Sequence, residues 1–145
     1  MSSDVPVLEI GGTHVTAAWA NTSGKVRVLA RAALDNKADA PALAATVCEA
    51  AAALGAEPGQ EWSIAIPGPF DYDNGIGAFV GVEKFEAWNG HDVGSDLLRG
   101  LGASQVWFIN DADAFGLGEA TAGSTREVEI SVGLTIGTGI GSAFI

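Results

Sequence analysis

Three apolar runs stand close together at the start of the chain, at residues 5–10, 15–20 and 25–33, and the gaps between them are too short to hold a helix. Gly11-Gly12 falls in the first gap and a polar turn at residues 21–24 in the second. Gaps of this kind turn the chain back on itself, so the three runs are predicted to form a β-meander. The pattern then changes. An Ala-rich stretch, 38–54, reads as a helix with Asp35 or Asp39 near its start and Gly55 at its end. A short apolar run, 62–66, meets Pro67-Gly68-Pro69, where regular structure must stop. Residues 70–89 read as an excursion, with a turn at Asp73-Asn74-Gly75 and a brief strand over 76–80. A helix at 93–101 and a strand at 106–109 follow. Asn110-Asp111-Ala112-Asp113 opens a further helix that ends near Gly123, and strands at 130–136 and 142–145 flank a glycine turn at 137–141. A meander followed by strand–helix units implies a mixed sheet in an α/β fold.

Composition narrows the setting. The 145 residues suit one domain, and 48% hydrophobic residues with a mean hydropathy of +0.26 imply a packed core. Twenty glycines without a collagen-like period are expected to serve turns and loops. The single cysteine, Cys48, lies in the Ala-rich helix and reads as a buried thiol; a disulfide framework is excluded and a zinc site within these residues is not expected. The N-terminal residues lack the basic and apolar regions of a signal peptide, and no run of 18 apolar residues occurs, so a cytoplasmic location without a membrane partner is expected. A net charge of −11 opposes nucleic acid and anionic membranes as partners. Phosphate ligands stay open, because backbone N–H groups and metal ions can hold them without basic side chains. A chain that stopped at residue 145 would leave a strand edge unpaired and an apolar face uncovered, so the polypeptide is expected to continue.

Several groups could carry chemistry. Gly11-Gly12-Thr13 lets the backbone approach a phosphate closely and offers a hydroxyl, and it also reads as an ordinary hairpin turn. Gly137-Thr138-Gly139-Ile140-Gly141 is not a dinucleotide-binding fingerprint, since a strand rather than a helix follows, and it lacks the lysine of a phosphate-binding loop. Two strand–glycine–strand turns could together clamp a polyphosphate. Asn110 and Asp111 sit where a strand delivers them to the mouth of a helix. Capping explains part of this pattern, and the carboxyl end of a strand is also where open α/β sheets bind ligands. In phosphoryl transfer one carboxylate accepts the proton of the attacking hydroxyl, the role assigned to Asp111; the Asn110 amide suits a sugar hydroxyl. Pro67-Gly68-Pro69 reads as a rigid loop or as the rim of a cleft, and Trp88-Asn89-Gly90 as a sugar-contacting group or a partly buried indole. Glu119 lies two helical turns beyond Asp111, facing the same side or solvent. His14 and His91 suggest no metal site.

In this order, IGGT, AIPGP, WNG, NDADAFGLGEATAG and LTIGTGIGSAFI resemble the ROK family of sugar kinases and sugar-responsive repressors, over nearly the whole chain. The resemblance implies an actin-like ATPase (ribonuclease H-like) fold with two α/β domains around a cleft, the first over residues 1–120 and the second beginning at 121–145. It implies a glucokinase-like transfer of a phosphoryl group from ATP, with Mg²⁺, to a hexose, by a homo-oligomer, expected to be a dimer. Gly11, Gly12 and Thr13 would form one phosphate turn and Gly137, Thr138, Gly139 and Gly141 the other. Asp111 would be the base, Asn110, Gly68 and Asn89 would contact the sugar, and Glu119 is a further candidate there. Glu9 stands where the family usually has Asp, a possible ligand of Mg²⁺ through water, and His14 stands where it usually has Lys. The family's zinc motif, its sugar-binding Glu/His pair and its adenosine pocket are expected past residue 145. LTIGTGIGSA also resembles polyphosphate-using glucokinases, which keeps polyphosphate open as donor. The repressor branch carries a helix-turn-helix ahead of the IGGT turn, and MSSDVPVL is too short for one. The 145 residues alone are expected to be inactive, since half a cleft cannot exclude water.

Overall fold

The computed structural model describes residues 4–137 and 139–145. β1 (Val5–Ile10), β2 (His14–Ala20) and β3 (Val26–Ala33) form the predicted antiparallel meander. α1 (Ala40–Ala52) then crosses to β4 (Glu61–Ile66), which pairs with β1 in parallel. The excursion carries β5 (Phe70–Asp71), β6 (Ile76–Gly77) and a 3₁₀ turn at Glu86–Trp88. α2 (Val93–Gly100) leads into β7 (Gln105–Asn110), parallel to β4, so the main sheet runs β3-β2-β1-β4-β7. The short gaps force antiparallel neighbours and the helical crossovers permit parallel ones, which is why the sheet is mixed. α3 (Asp111–Ala122) follows, then a separate hairpin of β8 (Val132–Ile136) and β9 (Ile140–Phe144). The domain boundary expected between residues 120 and 121 falls in the last turn of α3.

Alternate residues of the sheet, among them Leu8, Ile10, Val15, Ala17, Trp62, Ile64 and Ile66, are buried in one cluster with Leu43 and Val47 of α1 and Val93 and Leu97 of α2. Asp39 is extended and its carboxylate accepts the Ala42 N–H at 2.9 Å, so α1 begins at Ala40 rather than at 38, with Pro41 in the first turn where no N–H is missed. Cys48 is half-buried against α2, not buried, and burial pushes its thiol above the ordinary range.

The excursion has its own aromatic core. Phe85 and Trp88 stack at 5.4 Å, and Phe79 tilts against Phe85 at 5.3 Å. Trp88 is fully buried, more than expected. The strand expected over 76–80 stops at Gly77, because Gly77 bonds to His91 and Gly90 while the chain turns to bury Phe79. β9 starts at Ile140, paired with Ile136, so the last turn is shorter than 137–141. One face of the hairpin lies on α3: a Cβ at Gly116 would stand 2.9 Å from that of Ala143, and one at Gly141 2.8 Å from that of Ala112. On its other face Val132, Leu134, Ile136, Ile140 and Phe144 are exposed. Among the described residues no helix is long and apolar enough to cross a membrane.

Candidate active site

β1, β4 and β7 run in parallel, so their carboxyl ends lie along one edge of the sheet. Gly11 and Gly12 follow the first, Pro67 and Gly68 the second, and Asn110 and Asp111 end the third. This is the edge where open α/β sheets bind ligands. Thr135, Gly137, Gly139 and Gly141 of the hairpin complete an open cleft of about 480 Å³, into which the excursion delivers Lys84.

The structure therefore gathers Asp111, Asn110, Gly68, Gly11, Gly12, Gly137, Gly139 and Gly141 around one cavity. Thr138 lies outside the described residues. The Gly11 N–H donates to the His14 carbonyl at 2.8 Å, closing the first turn tightly, and the Gly137 N–H reaches the Gly139 carbonyl at 2.9 Å in the second.

Asn110 has a double task. Its side-chain oxygen accepts from the N–H groups of Ala112, at 2.9 Å, and Asp113, at 3.4 Å, which caps α3. Its amide nitrogen donates to the Tyr72 hydroxyl at 2.9 Å, and that hydroxyl donates to the Ile66 carbonyl at 3.3 Å. The chain of bonds ties the end of β4 to the end of β7 and leaves one amide hydrogen of Asn110 for a ligand. Burial pushes the Tyr72 phenol above its usual range, opposed by the Asn110 bond, so it stays a donor across the physiological range. A Cβ at Gly68 would lie 3.3 Å from the Tyr72 hydroxyl oxygen, so the Pro67-Gly68 turn packs on the same group. Asp111 is partly buried at the start of α3, where the positive end of the helix dipole favours a carboxylate.

Other candidates lie elsewhere. Thr13 is exposed and its hydroxyl pairs with the His14 ring at 2.8 Å. Glu9 is exposed on β1, away from the cleft lining. Asn89 is exposed at the end of the 3₁₀ turn. Glu119 accepts the backbone N–H and hydroxyl of Ser124, at 2.8 and 2.7 Å, which holds its carboxyl below the usual range and closes the end of α3. Tyr72 and Lys84 were missed by sequence reasoning: Tyr72 meets Asn110 across 38 residues, and Lys84 sits in a loop without periodicity.

The mixed sheet, together with the solved structures it matches, assigns the chain to the actin-like ATPase fold. The crystal structure of an inorganic polyphosphate/ATP-glucomannokinase from Arthrobacter sp. strain KM matches with a TM-score of 0.83 and 30% identity, over 99% of this chain and 58% of that one. A ROK family glucokinase from Streptomyces griseus, solved with glucose and AMPPNP, shares the fold at a TM-score of 0.81 and 23% identity, over 99% of this chain and 44% of its own. The ROK family model matches residues 6–145, and the chain belongs to that family. Glucokinase from Thermotoga maritima is 38% identical over 82 residues, 57% of this chain and 25% of its own length. Polyphosphate glucokinase from Mycobacterium tuberculosis is 43% identical over 61 residues, 41% of this chain and 23% of its own. The match spans about a quarter of the length of these two relatives.

Proposed function

We propose that the protein is a sugar kinase, glucokinase-like, that transfers a terminal phosphoryl group from ATP to a hexose hydroxyl in the cytoplasm. The observation that carries this reading is the convergence of Asp111 and both glycine turns on one cleft. Asp111 takes the proton of the attacking hydroxyl. Asn110 and the Gly68 turn orient the sugar, held in place by Tyr72. Gly11 and Gly12 in one turn, and Gly137, Gly139 and Gly141 in the other, let the backbone approach the phosphates closely, where positioning and charge stabilisation supply most of the catalysis. Among the described residues no three His, Cys, Asp or Glu side chains cluster as a metal cage. Mg²⁺ keeps several waters and takes one or two carboxylates besides phosphate oxygens. Glu9 stands outside the cleft lining and Asp111 is the one carboxylate in it among the described residues, so water and the donor's phosphate oxygens would supply most of the ion's ligands, and it would neutralise charge on the transferred group.

Polyphosphate is a second donor reading, favoured by the names of the Arthrobacter and Mycobacterium relatives. An assay of the complete protein over a hexose panel, with ATP and with polyphosphate, tests both. Asp111→Asn is expected to lower kcat by about 10²–10⁴-fold with the protein still folded; turnover within tenfold of wild type overturns the base assignment. Residues 1–145 alone are expected to be inactive, and gel filtration of the complete protein to give a dimer.

A further inference from the structure

We propose that Lys84 is a further catalytic residue of this site: its ammonium contacts the phosphoryl group in transit, in the cleft it lines together with Asp111. The inference rests on the kinase reading above. Lys84 and Asp111 are the two charged side chains that line the cleft among the described residues. The chain carries only seven lysines and arginines at a net charge of −11, so a cation here stands against the general trend. Lys84 is half-buried, and among the described residues its side chain makes no hydrogen bond or ion pair. A partly desolvated ammonium without a protein partner is complementary to an anion the cleft receives.

The backbone supports the same reading. The residues on either side, Glu83 and Phe85, both adopt left-handed conformations, at φ 56° and 54°. Such strain in residues other than glycine persists only where surrounding contacts impose it, and it gathers at functional sites. Here the contacts are plain. Phe85 is fully buried among aromatic rings, and its N–H donates to the Asn36 carbonyl at 2.8 Å. The Asn36 side chain in turn donates to the carbonyl of Gly12. Lys84 is thus indexed to the first glycine turn through two hydrogen bonds, while the anchoring of Phe85 leaves its neighbour to line the cleft.

In the transfer, the acceptor oxygen forms a bond to phosphorus, the bridging P–O bond breaks with its electrons leaving on the donor's oxygen, and the hydroxyl proton passes to Asp111. Lys84 donates hydrogen bonds to the non-bridging oxygens as their charge redistributes.

The test compares wild type, Lys84→Met, Lys84→Gln and Lys84→Arg in the complete protein. Removing one such donor is expected to lower kcat by about 10²–10³-fold in the Met and Gln variants, with KM for the sugar changed less than about threefold. The Arg variant is expected to recover most of the loss. By calorimetry, glucose 6-phosphate is expected to bind Lys84→Met about tenfold more weakly while glucose binds unchanged, a split that a structural defect would not produce. Circular dichroism and melting temperature check that the variants fold. An active wild type with an equally active Lys84→Met overturns the role of Lys84 and leaves the kinase reading standing. A wild type with no sugar-dependent turnover on any donor overturns both.

Discussion

At the residue scale, one phenol does much of the site's alignment. Tyr72 links the Ile66 carbonyl at the end of β4 to Asn110 at the end of β7, and Asn110 caps the helix that carries Asp111. Tyr72→Phe removes both bonds and strands the Ile66 carbonyl and an Asn110 N–H. The expected cost is about 1–3 kcal/mol in urea unfolding, with a several-fold fall in kcat/KM for the sugar. Gly68→Ala presses a methyl group onto the same hydroxyl and is expected to raise KM for the sugar more than it lowers kcat, read from steady-state kinetics. The Asn110-Asp111 pair was legible in the sequence because capping is local chemistry, set by residues two and three apart. Tyr72 was not, because its partner is 38 residues away and no pattern within the excursion announces it. Glu119 illustrates the reverse: two helical turns do suggest a shared face, but the Ser124 N–H and hydroxyl claim its carboxylate at the helix end.

At the scale of elements, helix termini and close backbone approaches set the geometry. Asp92 caps α2 by accepting the Ser95 N–H at 2.8 Å and hydroxyl at 2.7 Å, which holds its carboxyl below the ordinary aspartate range. A depressed folded-state value means that this stabilisation is present above the ordinary aspartate pKa and is lost as pH falls through the lower folded value. Asp92→Asn is therefore expected to flatten the acid limb of the stability profile, with the wild-type advantage at neutral pH shrinking toward about pH 3 in urea melts. The strands and helices of the main sheet were legible from apolar runs and punctuation. The excursion was not, since an aromatic cluster rather than periodicity decides its path. The glycines were read as turn formers, yet Gly116 and Gly141 serve contact between α3 and the hairpin, which depends on a neighbour no local pattern reveals. Gly141→Ala is expected to shift the second glycine turn and raise KM for the phosphoryl donor, while KM for the sugar stays within about twofold.

At the scale of the whole molecule, one layered core supports the edge where the cleft forms. Leu43 is fully buried between α1 and the sheet, and Leu43→Ala is expected to cost about 2–5 kcal/mol in denaturant unfolding. The exposed face of the hairpin behaves differently. Five large apolar side chains, from Val132 to Phe144, face solvent on the 145-residue chain. That chain by itself is expected to associate with rising concentration in sedimentation experiments, and a double Leu134→Lys and Ile140→Lys change to suppress it. Family and fold were legible because glycine turns, strand ends and caps recur in a fixed order along the chain.

The contact of Gly141 with Ala112 has a metrological meaning. Ala112 follows Asp111 directly, so a missing methyl group sets the spacing between the second glycine turn and the proposed base. Bond formation tolerates little error, since reacting atoms must meet at about 3–3.5 Å. Glycine at this position works as a length standard: the smallest side chain in the repertoire calibrates the gap across which a phosphoryl group would travel.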